Sequence, residues 1–135
     1  MTMLYQAHSG LRYLVLLAAV AALVAIGAAL ATGRPTRAAR SLTTAYTGLL
    51  DLQVLLGIAL VVSGIFYGAL MGHIVMMVLA AVAAHAGSVL ARRQTDERVA
   101  LRMRFVGVAA SLLCIVAGIM AIGRRVIGSA PPTLG

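Results

Sequence analysis

Ionisable side chains are rare in this sequence, and several of them fall inside or beside long apolar stretches. The histidines are His8, His73 and His85, and they are accompanied by Arg12 and Asp51. An imidazole can bind a metal ion through a ring nitrogen, and it can exchange a proton near neutral pH. An ionisable side chain is costly in hydrocarbon, so one in a membrane-spanning segment indicates a functional site. The residue types therefore point to metal ligation or proton transfer by histidine in an apolar environment.

The apolar stretches are long enough to cross a membrane. Hydrophobic residues make up 62% of the 135 residues and charged residues 10%, and the mean hydropathy is +1.04. A spanning helix needs about 20 apolar residues, and a soluble domain of this length could not bury so much apolar surface. The sequence predicts an all-α fold, an integral-membrane four-helix bundle of the up-down type, with residues 1–135 as a single transmembrane domain. The predicted helices cover approximately residues 8–31, 42–68, 72–91 and 98–123.

The arginines indicate the orientation of the bundle. The formal net charge is +8, and every basic residue is an arginine. Because the arginines cluster in two short connections, they predict a membrane topology rather than binding to nucleic acid. Connections rich in arginine face the cytoplasm, so both termini are predicted to lie outside, with Arg124 and Arg125 as a mild exception. Tyr5, Tyr46 and Tyr67 fall near the predicted membrane edges, where aromatic rings with a polar tip prefer to lie. The first connection carries Arg34, Arg37 and Arg40, and the third carries Arg92, Arg93, Arg98, Arg102 and Arg104.

This topology sorts the ionisable groups into two levels. His8 precedes the first span and His73 opens the third, both on the outer side, and they are named the outer pair. Asp51 and His85 each lie roughly 10 Å from the cytoplasmic edge, counted at about 1.5 Å per helical residue, and they are named the inner pair. Along the third helix, roughly 18 Å separates His73 from His85. The sequence therefore predicts two sites, one near each face of the membrane.

The outer pair could hold a haem. Arg12 follows His8 by four residues and Met77 follows His73 by four, so each shares a helix face with its histidine. A haem needs axial ligands, and a cation often lies near its propionates; His8, His73 and Arg12 would supply these groups. Helix bundles commonly build cofactor sites from facing side chains in this way. The small residues that follow His73 on its face, and that would leave a flat slot for the ring, are Ala80, Ala84 and Gly87.

Other interpretations of the outer pair stay open. Two histidines with one or two methionines would also suit copper, above all Cu(I). Zinc is not expected, because no Cys-His cluster has the spacing of a zinc site. An interfacial histidine can also simply hydrogen-bond to headgroups or water, and a methionine on an apolar face usually fills the core.

The inner pair has three interpretations. Thr44, Thr47 and Asp51 are spaced by three and four residues and form a polar stripe on the second helix, while Gln53 points to another face. Asp51 and His85 could relay protons, or His85 could ligate a second haem whose other ligand is not evident. The third interpretation is a buried Asp–His hydrogen bond that fixes the position of one helix against another.

The segment His8–Tyr13, with the sequence HSGLRY, enters an apolar helix and resembles a family of small four-helix bacterial membrane proteins of cytochrome b-like character. In that family the third helix also opens with a histidine and carries a methionine at the fourth following position, as His73 and Met77 do. The second helix is similar over Asp51–Gly57 (DLQVLLG), although the family has histidine where this chain has Asp51. The resemblance implies haem b at the outer pair of a multi-pass protein in the bacterial inner membrane. It gives no support to an inner haem, because aspartate is a poor haem ligand.

The predicted function is the transfer of single electrons between quinol and a redox partner. Two axial histidines would leave the iron without an open position, which favours electron transfer over oxygen chemistry. One alternative is a non-catalytic membrane subunit that packs in a larger complex. Another is a proton or metal-ion site centred on Asp51 and His85. The predicted partners are the lipid bilayer, a quinone, and a larger complex or a second copy packed through Gly64, Gly68 and Gly72.

Overall fold

The computed structural model describes residues 2–34 and 37–123 and is all-α over these residues. Every helix is long and apolar enough to cross a membrane. Even the shortest, with 23 residues, extends about 35 Å at 1.5 Å per residue, against a hydrocarbon thickness of about 30 Å. The predicted fold class is therefore confirmed at the level of four helices that could span a membrane. The helices are α1 (Thr2–Thr32), α2 (Arg37–Val62), α3 (Leu70–Arg92) and α4 (Glu97–Ala121).

The starts of α1 and α2 differ from the prediction. Because α1 begins at Thr2, His8 lies within this helix rather than before it. Because α2 begins at Arg37, Asp51 lies 14 residues into the helix, roughly 21 Å from its first residue. Asp51 is thus close to the middle of α2, because this helix begins earlier than predicted. Arg124 and Arg125, the exceptions to the orientation rule, lie outside the described residues.

The end of α2 also differs, because a glycine stops the helix at Val62. Gly64 has φ +98°, a conformation that glycine adopts without a steric penalty. The backbone N–H groups of Gly64 and Ile65 bond to the carbonyls of Val61 and Leu60, at 3.0 and 3.2 Å. This pairing is the Schellman arrangement that terminates helices. The second helix therefore ends before residue 68, where the prediction ended it, and Gly64 and Gly68 belong to the loop before α3.

The closest helix contact joins α3 to α4. A Cβ atom built on Gly87 would lie 2.8 Å from Cα of Gly107, and one built on Gly107 would lie 2.9 Å from Cα of Gly87. Such small residues let two helix backbones touch. Ala80 and Ala84, on the same face of α3, are buried in the core. The small residues of α3 are therefore used for packing and do not leave the flat slot that the sequence predicts below His73.

A hydrogen bond between two side chains joins α2 to α4 inside the core. Tyr46 is fully buried, and its hydroxyl hydrogen-bonds to the hydroxyl of Ser111 at 2.5 Å, joining α2 to α4. Tyr46 therefore packs inside the bundle, and its prediction as a membrane-edge residue stays a prediction. The outer surface of the bundle is apolar on every helix, as expected for a chain surrounded by lipid. Its large exposed side chains include Leu17, Leu55, Val82 and Leu113.

The close contact of α3 and α4 makes a testable prediction. Gly107→Ala forces a methyl group into the backbone of α3, and overpacking of this kind costs typically about 1–3 kcal/mol. We expect a lower midpoint of thermal unfolding, measured by circular dichroism in detergent. Gly48→Ala is the matched control, because a Cβ atom there meets nothing within 4 Å. Equal losses of stability in the two variants would contradict the packing described here.

Candidate functional site

The structure brings the outer pair together. The ring centroids of His8 and His73 lie 6.5 Å apart, and the ring planes are nearly perpendicular, at 81°. Both residues are half-buried. Two imidazoles on opposite sides of one metal ion would have centroids about 6 Å apart, because a metal–nitrogen bond is about 2.0–2.1 Å and each ring adds about 1 Å. The separation of the rings therefore matches the span of two axial ligands.

One hydrogen bond fixes the tautomer of His73. Its Nδ1 lies 3.0 Å from the backbone carbonyl of Gly118 in α4. A carbonyl oxygen only accepts, so Nδ1 carries the proton and donates it. In the neutral ring Nε2 then keeps its lone pair, which is the arrangement typical of metal-binding histidines.

Gly118 is the residue that allows this contact. A Cβ atom there would lie 2.7 Å from the terminal methyl of Met77 and 3.5 Å from Nδ1 of His73. The side chain of Met77 therefore packs over the glycine, next to the histidine. Met77 accordingly lies beside the outer pair, as the spacing of four residues predicts.

His8 is hydrogen-bonded by a residue of α2 that the sequence analysis did not assign to the outer pair. Gln53 is buried, and its Nε2 donates to the backbone carbonyl of His8 at 2.8 Å. The same Nε2 lies 3.5 Å from Nε2 of the His8 ring. One helical turn further along α2, Gly57 leaves space for the ring, since a Cβ atom there would lie 3.2 Å from Cε1 of His8. The sequence signal for this contact is the four-residue spacing of Gln53 and Gly57, because it places both residues on one face of α2.

Two polar atoms beside the outer pair lack hydrogen bonds. Nδ1 of His8 and Oε1 of Gln53 are buried, and neither has a partner within the part of the chain that the structure describes. Buried polar atoms are nearly always paired, and an unpaired one costs about 1–3 kcal/mol. Such atoms beside a cavity are expected where a ligand or a water molecule completes the site.

A cavity of about 340 Å³ adjoins the outer pair. Its walls are mostly apolar and come from all the helices, and its size is within the range of ligand-binding pockets, about 300–1,000 Å³. All the residues predicted to bind a cofactor reach it, together with Gln53. These predicted residues are His8, Arg12, His73 and Met77.

Arg12 lines the cavity and contacts the neighbouring tyrosine. Its guanidinium donates to the hydroxyl of Tyr13 at 2.7 Å, and its central carbon lies 4.7 Å from the centre of that ring. A guanidinium has five N–H donors, so this hydrogen bond uses one of them. Arg12 is therefore placed to offer positive charge to an anionic group at the cavity.

The two residues of the inner pair, Asp51 and His85, also contact each other, and they do so on the exposed surface of the bundle. Nε2 of His85 lies 2.8 Å from Oδ1 of Asp51. The predicted hydrogen bond between Asp51 and His85 therefore forms between α2 and α3, but it is not buried, since the two side chains are 45% and 52% exposed, respectively. The polar stripe is satisfied within its own helix, because the hydroxyls of Thr44 and Thr47 donate to backbone carbonyls of α2 at 3.0 and 2.9 Å.

The donor set limits the metals that these sites could hold. No group of three or more His, Cys, Asp or Glu side chains comes together over residues 2–34 and 37–123. A copper or zinc site built from protein ligands alone usually needs three or four, whereas a haem needs only two axial ligands. His85 lacks a histidine partner for a second haem, because the other two histidines of the chain form the outer pair.

Comparison with known proteins finds no matching family model, no matching curated protein and no matching solved structure. The resemblance to four-helix membrane proteins of cytochrome b-like character therefore stays a prediction from the sequence motifs. The evidence for the candidate site is the geometry of its residues.

The hydrogen bond to Gly118 makes a second prediction. In protein labelled with ¹⁵N-histidine and held at alkaline pH, where imidazoles are neutral, we expect the His73 ring to be protonated on Nδ1. Gly118→Ala should shift this Nδ1 resonance, because the added methyl pushes Met77 and His73 away from α4. Gly27→Ala is the control, since a Cβ atom at Gly27 meets nothing within 4 Å. An Nε2-protonated His73 would contradict the hydrogen bond.

Proposed function

We propose that this chain is a small integral-membrane cytochrome b that holds one haem b between His8 and His73 and transfers single electrons. The observation that carries the proposal is the 6.5 Å separation of the two ring centroids beside an apolar cavity. The tautomer of His73 and the unpaired polar atoms near His8 add support. Copper is the alternative for the same residues, because Met77 beside the outer pair could add a thioether ligand.

The proposal includes an up-down bundle in the bacterial inner membrane with both termini outside. The pairing of His8 with Gln53, and of His73 with Gly118, supports opposite directions for neighbouring helices. Arg40 lies 3.9 Å from Glu97, which supports placing the first and third connections at the same end. Both connections are rich in arginine, so this end would face the cytoplasm. The outer pair would then lie towards the opposite face.

Each residue at the site has a distinct proposed role. His8 and His73 bind the iron, and the carbonyl of Gly118 orients the His73 ring for that bond. Gln53 holds the backbone at His8, and the Arg12 guanidinium pairs with a propionate. When bound, haem takes up and gives back one electron at a time. Two axial histidines leave no coordination position for oxygen, so electron transfer is the activity that the site favours.

The electron donor is proposed to be a quinol and the acceptor a separate redox partner. Quinol oxidation releases protons, and the inner pair of Asp51 and His85 is the candidate group to accept them. The competing functions, a non-catalytic subunit or an ion site, share the membrane fold but require no pigment. A visible spectrum therefore separates them from the cytochrome.

The test is a reduced-minus-oxidised visible spectrum of protein purified in detergent from cells supplied with a haem precursor. We expect the sharp absorption of a low-spin b-type haem in the wild type and its loss or weakening in His8→Ala and in His73→Ala. His85→Ala is the matched control, since it removes the remaining histidine and should leave the spectrum unchanged. A colourless wild type would refute the proposal, as would variants of the outer pair that keep the wild-type spectrum.

A further inference from the structure

The cavity beside the outer pair opens sideways, between α2 and α3. Ile58 of α2 and Val78 of α3 both line it, yet they are 54% and 53% exposed. These two helices also make much less contact with each other than α1 makes with α2 or α3 with α4. The gap, named the lateral opening, is bordered by Val54, Ile58, Ile74 and Val78. In a membrane it would face the lipid.

The inner pair lies beyond the residues that line the cavity, on the faces of α2 and α3 that border the lateral opening. Asp51 precedes Val54 by about one helical turn, and His85 follows Val78 by about two, so each shares the face of its helix that borders the opening. Leu50, the neighbour of Asp51, lines the cavity itself. The site of the inner pair is therefore adjacent to the cavity of the outer pair.

The inner pair has hydrogen-bonding capacity that its surroundings do not use. Nε2 of His85 donates to Oδ1 of Asp51, which leaves Nδ1 and Oδ2 without a hydrogen bond inside the described ranges. The large side chains nearby, Leu55 and Val82, are apolar and exposed. Asp51 is roughly 16 Å or more from either end of α2, His85 is roughly 10 Å from the end of α3, and acyl chains cannot hydrogen-bond. A ligand for this site must therefore be lipid-soluble and carry a hydroxyl or carbonyl group.

We propose that the lateral opening is the binding site of a membrane-soluble hydroquinone, whose hydroxyl donates a hydrogen bond to Nδ1 of His85. The flat ring would lie between the apolar side chains of α2 and α3, with the polar group at the inner pair. The proposal rests on the function proposed above for its electron acceptor, but the binding site itself does not depend on haem.

The proposed site takes protons and electrons from the hydroquinone by separate routes. Oxidation of a hydroquinone to a quinone breaks two O–H bonds and releases two protons and two electrons. Nδ1 of His85 accepts the proton of the hydroxyl that it bonds. After that proton has left, the hydroquinone ring turns its other hydroxyl to Nδ1, which accepts the second proton, and the Asp51 carboxylate stabilises the imidazolium formed each time. Each proton leaves to water at the arginine-rich end of the bundle, towards which Thr47 and Thr44 extend the polar face. The electrons would pass singly to a haem held by His8 and His73, and the redox partner would remove them.

The experiment measures how fast a hydroquinone reduces the haem, by stopped-flow absorbance on the haem-loaded protein in detergent. Duroquinol and menadiol serve as a benzohydroquinone and a naphthohydroquinone, and the faster of the two identifies the ring class. Removal of a general base typically costs about 10²–10⁴-fold, so we expect His85→Gln to slow the reaction by about 10²-fold or more. Asp51→Asn should slow it as well. Reduction by dithionite should give the wild-type spectrum in both variants, which shows that the haem is intact.

Ser63→Ala is the matched control, because it removes an exposed hydroxyl beyond the end of α2 that bonds only to the backbone of Ala59. Wild-type rates in both His85→Gln and Asp51→Asn would overturn the proposal. Dissociation of a dimer by His85→Gln, with no change in the rate, would also overturn the proposal. In that case a helix of a second copy, and not a hydroquinone, would cover the inner pair.

A separate measurement distinguishes failure of this inference from failure of the cytochrome proposal. If the wild type contains no haem, equilibrium dialysis with duroquinone still tests the opening. Binding by the wild type and its loss in His85→Gln would support the site in the absence of haem. Equal binding by the two proteins, or none by either, would overturn it.

Discussion

The close contact of α3 with α4 is the constraint on which the rest of the structure depends. Gly87 and Gly107 bring the two backbones together, and this approach places the carbonyl of Gly118 within reach of His73. The hydrogen bond turns Nε2 of that ring away from α4. With the ring fixed in this way, α1 needs only to place His8 at the same level for the outer pair to form. The geometry of the site is thus set by small residues that carry no chemistry themselves.

The polar groups in this bundle fall into three classes according to their hydrogen bonds. Tyr46 and Ser111 satisfy each other inside the core, and Thr44 and Thr47 bond to the backbone of their own helix. The outer and inner pairs differ, because each retains polar atoms that have no hydrogen bond among the described residues and that lie next to a cavity or an opening. Unsatisfied polar groups in apolar surroundings destabilise a protein. Their position beside space that a ligand can enter is the common physical argument for both proposed sites.

Much of this arrangement could be predicted from the sequence, because depth in a membrane follows from counting residues. The four helices and the contacts of His8 with His73 and of Asp51 with His85 were all predicted from length and helical rise. The rotation of each helix could not be predicted in the same way, since helices that are apolar on all sides give no periodic signal. Gln53 was not assigned to the outer pair, and the burial of Tyr46 was not predicted, for that reason. Gly64 was included in the second helix because glycine occurs both at close helix contacts and at helix ends.

The measurement that tests the central claim most directly is the low-temperature electron paramagnetic resonance spectrum of the oxidised, haem-loaded protein. The imidazole planes of His8 and His73 are 81° apart. Axial imidazoles that are perpendicular leave the iron d-orbitals nearly degenerate, so we expect a highly anisotropic low-spin signal with one large g value. Parallel imidazoles would give a rhombic low-spin signal, and a single histidine ligand would give a high-spin signal. A high-spin signal would contradict the proposed ligation by the outer pair, and a rhombic low-spin signal would contradict the perpendicular arrangement of the two rings.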